Sequence, residues 1–194
     1  MDQRQLVLSS SSPARRALLE RLLVPYSVLS PDLDETPLAN ETAEALTHRL
    51  AIAKAKAGAA QHPQALIIGA DQVGALDNHI LSKPLTRENA IKQLEHVSGR
   101  TVRFFTGLCL LDAISQQYEC TVETYDVAFR MLTRTEIESY LDKEDALNCA
   151  GSFQAEGLGI TLIHHFQGSD YTSLIGLPMI RLVAMLKSMG FNII

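Results

Sequence analysis

Apolar positions along the chain change period several times, and each change marks an element. Leu6-Val7-Leu8 is a short apolar run ending in four serines, the pattern of a buried strand feeding a turn. In the following "PARRALLERLL", Leu18, Leu19, Leu22 and Leu23 recur at helical spacing. Ser12 supplies the N-cap, and Pro13 takes the first helical position, where its missing N–H removes nothing. Tyr26 to Leu29 reads as a second strand before the acidic loop "SPDLDETP". Glu41 to Ala60 reads as a long alanine-rich helix with Leu46, Leu50, Ala53 and Ala57 on one side.

The stretch "ALIIGADQ", residues 65–72, begins as a strand buried on both faces and runs into Asp71 and Gln72 without a turn residue. Asp71 therefore either caps the next segment or is held in a cleft at the strand's end. Asp77-Asn78 marks a tight turn, and "TRENAIKQLEHV" a helix capped by Thr86 and closed before Gly99. Val102 to Leu111 and Tyr118 to Phe129 form an antiparallel hairpin around Ser115-Gln116. Thr133 and Glu136 have capping-box spacing for a helix through Leu141. Gly151 to Gly159 is glycine-rich, Ile160 to Phe166 is strand-like, and Pro178 begins a last apolar helix reaching Met189. Strands interleave with helices and some pair as hairpins, with no repeat or linker, so the fold class is α/β with a mixed sheet flanked by helices.

Composition narrows the function classes. With 194 residues, 46% hydrophobic and 20% charged, the chain can bury a sizeable core and is not disordered. A net charge of −5 argues against nucleic acid as a partner, since phosphate-backbone binding wants a basic surface. Three cysteines without C-x-x-C spacing give neither a disulfide framework nor a zinc knuckle. The opening "MDQRQLVLSSSS" lacks a signal peptide's apolar core, and no apolar run is long enough to span a membrane. The expectation is a soluble, cytoplasmic protein.

Candidate chemistry lies in several short segments. The junction "LVLSSSSPARR" puts serine hydroxyls and Arg15 at a helix N-terminus, which suits a phosphate, although for this segment alone a plain capped helix start is the favoured account. Asp32, Asp34 and Glu35 offer the hard oxygens that Mg²⁺ or Mn²⁺ prefers, or a solvated loop. Lys54 and Lys56 interrupt a helix of small apolar residues, where lysine normally snorkels. Lys83-Pro84 adds a cation near a turn. Gly157-x-Gly159 does not extend to a dinucleotide fingerprint, and no P-loop occurs. His164 and His165 are expected on opposite faces of a strand, with no role.

Each segment is weak alone, but their order is specific. Serines before S-P-x-R, then D-E, L-A-x-x-K-A, G-A-D-x-V, K-P and G-L-P resemble the Maf family of nucleotide pyrophosphatases, as do "TG" at Thr106-Gly107, "DVAFR" and "AGSF". The likeness runs from Leu6 to the last helix. It implies one domain over 1–194, with two lobes around a deep cleft. It also implies metal-dependent hydrolysis of a nucleoside triphosphate between its α and β phosphates, a divalent cation (Mg²⁺ or Mn²⁺) and a homodimer. By position, Ser10 and Arg15 match phosphate-handling residues, and Glu35, Lys54, Asp71 and Lys83 match the polar residues of the cleft. Asp71 matches the usual proton acceptor. An unperturbed aspartate, with a pKa of about 3.9, is a feeble base at neutral pH, so Asp71 acts as base, as metal ligand beside Glu35, or as both.

Three departures bear on the base. Ala14 replaces the first arginine of S-P-R-R, Gln72 replaces the threonine of G-A-D-T, and Glu156 stands where other members have glutamine. The combination resembles the subgroup associated with 7-methyl-GTP rather than the one acting on dTTP and UTP. Methylation at N7 makes guanine cationic, and losing an arginine while gaining a glutamate favours a cationic ring. The chain lacks tryptophan, so an aromatic platform must come from elsewhere, with Phe153 the candidate. The rival reading is a non-catalytic nucleotide sensor that regulates septum formation.

Overall fold

The computed structural model describes residues 4–77 and 79–194; Asn78, half of the expected tight turn, lies outside them. Strand β3 (Leu66–Leu76) is the spine of a seven-stranded mixed sheet ordered β2-β1-β3-β5-β6-β7, with β4 (His79–Leu81) also paired to β3. β1 (Leu6–Ser9) runs parallel to both β2 (Ser27–Leu29) and β3. β5 (Thr101–Asp112), β6 (Tyr118–Phe129) and β7 (Ile163–Gln167) continue the sheet antiparallel.

Two edge pairings fix what β3 can do. β1 covers it from Leu66 to Gly69, and β4 covers it from Gly74 to Leu76. Between these ladders, Ala70 to Val73 has no strand partner on that edge among the described residues, although β5 pairs it on the other. Asp71 is therefore mid-strand rather than at a strand end, and it sits in a notch left by two short neighbours.

Helix α2 (Ala43–Gln61) lies across one face of the sheet. Ala51, Ala55 and Ala59 pack there on Val7, Ile67, Cys109 and Leu111. The approach is close because Gly69 and Gly107 carry no side chain: a Cβ on Gly69 would lie 2.2 Å from the Ala51 carbonyl oxygen, and one on Gly107 would lie 2.3 Å from that of Thr47. The buried stripe of α2 runs through Leu46, Leu50, Ala51, Lys54, Ala55, Gly58 and Ala59; Ala53 and Ala57 sit at its flank, because the close approach to Gly69 and Gly107 is made by the Thr47, Ala51 and Ala55 side of the helix.

Helices α1 (Pro13–Glu20) and α6 (Met179–Ser188) cover the opposite face, over Leu6, Leu8, Leu66, Ile68, Leu108 and Leu110. A further apolar cluster joins α3 (Arg87–Val97) and α4 (Arg134–Leu141) to Phe104, Val127 and Phe153. Ser12, Thr42, Thr86 and Thr133 all accept from backbone N–H groups as N-caps, and Thr133 with Glu136 completes a capping box.

Local details depart from the periodic reading. α1 stops at Glu20, and Leu23 turns outward in a left-handed conformation (φ 54°), leaving its face. Ile160 to Leu162 belongs to a 3₁₀ turn. The His164 and His165 rings lie edge to face at 5.4 Å, because the β6–β7 register slips at Ala128 and Phe129 and breaks strict alternation. Helix α5 (Tyr171–Ile175), capped by Asp170, has no counterpart in the sequence reading. No helix among the described residues is long and apolar enough to cross a membrane.

Candidate active site

Strand alternation divides the notch between two faces. Gly69 and Asp71 face α2, whereas Ala70 joins the α1–α6 core and Gln72 reaches α5. Seating α2 on Gly69 brings its Ala51–Ala55 turn onto the strand, and that turn carries Lys54. The Ser9 hydroxyl donates to the Lys54 carbonyl at 2.7 Å and ties the same turn to β1.

Lys54 does not snorkel. It is 6% exposed, and its Nζ lies 2.6 Å from Asp71 Oδ1 and 2.6 Å from Glu35 Oε1. Asp71 is equally buried, while Glu35 reaches in from the acidic loop with its side chain 46% exposed. Burial pushes the Glu35 carboxyl up. The Lys54 hydrogen bond and the charges of Lys54, Lys83 and Arg15 outweigh it and hold the group below its usual range. Lys56, two residues on, points outward and lies over the Tyr118 ring.

Arg15 enters from the first turn of α1. Its Nε donates to the Gly176 carbonyl at 2.7 Å and its Nη1 to Ser10 Oγ at 3.2 Å. Burial lowers its pKa, opposed by the charges of Asp71 and Glu35. Ser10 is buried and also accepts from the Ser12 backbone N–H. Lys83 is exposed on the loop after β4, where Gln93 Nε2 donates to the Ser82 carbonyl and Ser152 Oγ donates to Gln93 Oε1. Ser9 ties down the Lys54 turn and Gln93 the loop of Lys83; neither was singled out in the sequence, since a serine in a serine run and a helix glutamine carry no distinguishing signal.

Ser10, Arg15, Glu35, Lys54, Asp71 and Lys83 thus form one electrostatic neighbourhood. Gln72 does not contact the carboxylates. Its amide donates to Thr106 Oγ1 and to the Ser173 and Leu174 carbonyls, clamping α5 to β3 and β5. Ala14, half-buried in α1, brings no polar group. Glu156 is exposed on a tight loop and pairs with no cation among the described residues; its charge reaches Tyr171, Tyr140 and Cys149, and that of Lys83 also reaches Cys149. Phe153 is not a platform: it is 5% exposed and packed against Phe104 and Phe129.

The carboxylates fit a hard cation. Oxygens of Asp71 and Glu35 converge on one ammonium nitrogen, so their geometry already satisfies positive charge. No cluster of three or more His, Cys, Asp or Glu side chains suited to a metal occurs among the described residues. Two protein oxygens would leave the remaining positions to water and substrate phosphates, as is usual for Mg²⁺.

The chain is 49% identical over 189 residues to the 7-methyl-GTP pyrophosphatase of Nitrosococcus oceani, covering 97% of this chain and 95% of that one. It is 50% identical over 188 residues to the 7-methyl-GTP pyrophosphatase of Pseudomonas aeruginosa, covering 97% and 98%. The Staphylococcus aureus Ham1 protein structure superposes with a TM-score of 0.47 at 17% identity, over 65% of this chain and 72% of that one. The Maf-like protein family matches residues 5–189, from the first strand to the end of the last helix. With the serines, Arg15, Lys54 and Asp71 gathered at one notch, the chain belongs to the Maf family.

Proposed function

We propose that this chain hydrolyses 7-methyl-GTP between its α and β phosphates, releasing 7-methyl-GMP and diphosphate. The observation that carries the reaction class is the junction of three cations with two carboxylates at a gap in the sheet. The base assignment draws on the two relatives at about half identity and on Glu156, an exposed carboxylate in no salt bridge among the described residues.

Phosphoryl transfer asks a protein mainly for positioning and charge stabilisation. Arg15, pinned to Ser10 and Gly176, presents a fixed fork to the phosphates, and Lys83 adds a second cation from the loop after β4. Asp71 orients the attacking water and receives or relays its proton, with Lys54 fixing the carboxylate at 2.6 Å. Glu35 and Asp71 are the residues that would hold Mg²⁺ or Mn²⁺, which when bound offsets phosphate charge and lowers the pKa of a coordinated water. The proposed setting is one domain working on a soluble nucleotide in the cytoplasm as a homodimer.

A panel of 7-methyl-GTP, GTP, dTTP and UTP with Mg²⁺ or Mn²⁺, scored separately for diphosphate and orthophosphate, tests the reading. Diphosphate release fastest from 7-methyl-GTP is expected, and no release from any nucleotide would favour the sensor reading instead. Glu156→Gln is expected to lower kcat/KM for 7-methyl-GTP about 10-fold while leaving UTP nearly unchanged. Equal losses on both would remove Glu156 from base recognition.

A further inference from the structure

A cationic purine ring needs more than a carboxylate: it binds best with an aromatic face beside the negative charge. Phe153 is in the core, so the site must find that face elsewhere. Tyr171, the first residue of α5, is 40% exposed, and its hydroxyl donates to the Ala155 carbonyl at 2.8 Å, adjacent to Glu156. Its ring is braced by Tyr125 and Phe166, with centroids 6.2 and 5.8 Å away. The loop bearing Glu156 is held as firmly. Gln154 N–H donates to the Tyr140 hydroxyl, Leu158 N–H to Glu144 Oε2, and a Cβ on Gly159 would lie 2.2 Å from the Gln154 carbonyl oxygen.

The same short helix connects to the phosphate side. Gln72, next to Asp71, holds the Ser173 and Leu174 carbonyls, and Arg15 holds that of Gly176. Tyr171 thus lies within roughly 3–8 Å along the helix axis of the carbonyls that Gln72 and Arg15 grip, so the aromatic ring and the phosphate-side groups share one short rigid element. Lateral freedom is small, because Asp170 accepts from Thr172 N–H, Thr172 Oγ1 and Ile180 N–H and locks α5 to α6.

Building on the proposed 7-methyl-GTP activity, we infer that Tyr171 is the aromatic platform on which the N7-methylated base stacks, with Glu156 at the ring's edge. Gln72 then acts through α5, positioning this platform rather than touching the base. The test compares kcat/KM for 7-methyl-GTP and GTP in wild type, Tyr171→Phe and Tyr171→Leu, each checked by thermal denaturation. Tyr171→Phe keeps the π-face and is expected within about 3-fold of wild type on both substrates. Tyr171→Leu keeps apolar bulk without the face. It should lose roughly 10-fold or more on 7-methyl-GTP, mainly through KM, and about 3-fold or less on GTP. An unchanged methyl preference in Tyr171→Leu, or a loss in Tyr171→Phe as large as in Tyr171→Leu, overturns the stacking role alone. A wild type without preference for the methylated base instead overturns the substrate assignment beneath it.

Discussion

Asp71→Asn is expected to lower kcat by about 10³-fold while the protein stays folded. The amide keeps an oxygen for the Lys54 ammonium, which is also paired with Glu35 at 2.6 Å. The substitution therefore does not strand a buried charge, the event that makes breaking such pairs strongly destabilising. It removes the negative charge facing the water, and with it one oxygen donor for a divalent ion. Stopped-assay diphosphate release and a thermal melt check both halves: a variant retaining more than about a tenth of wild-type kcat would contradict the role given to Asp71. The other half fails if the variant is unfolded, which would make the Lys54–Asp71 pair a structural strut.

The features legible in the sequence were local. Ser12-Pro13, Thr86 and the Thr133–Glu136 box each signal a helix start through their own backbone hydrogen bonds, and each start lies where expected. The β5–β6 hairpin was legible for the same reason, since long alternating runs meet at one turn. Readings that needed a partner were less secure. The burial of Lys54 depends on two glycines in strands remote from it, and periodicity alone makes a lysine snorkel. Asp71 ends the apolar run yet not the strand, because β5 continues to pair with β3 through Ala75. Helix α5 is five residues long, too short for a periodic signal; Gln72 and Arg15 hold it from distant segments, and its own cap Asp170 ties it to α6. Phe153 was the aromatic candidate in a chain without tryptophan; it is drawn inward by Phe104 and Phe129. The functional set was therefore recognisable by its order along the chain, while the way α2 and α5 assemble it was not.

Gly69→Ala tests the assembly directly. The added methyl would meet the Ala51 carbonyl oxygen at 2.2 Å and the Ala55 nitrogen at 2.6 Å. These are backbone atoms of one helical turn and cannot rotate aside, so α2 must lift from the sheet. Overpacking of this kind is expected to destabilise by about 3 kcal/mol, a fall in Tm of about 10 °C for a chain of this length. Gly74→Ala is the matched control five residues along the same strand. Its methyl would meet Phe104 Cε1 at 3.2 Å, a ring that can shift, so a loss below about 1 kcal/mol is expected. The lifted turn carries Lys54, so the folded fraction of Gly69→Ala should also lose roughly 10²-fold in kcat/KM, the scale of a 1 Å misplacement. Gly74→Ala should keep near wild-type turnover. Denaturant unfolding and kinetics at a temperature well below both transitions separate the two effects. Equal stability and equal kcat/KM for the two variants would mean that the seating of α2 on Gly69 does not set the distance between Lys54 and Asp71.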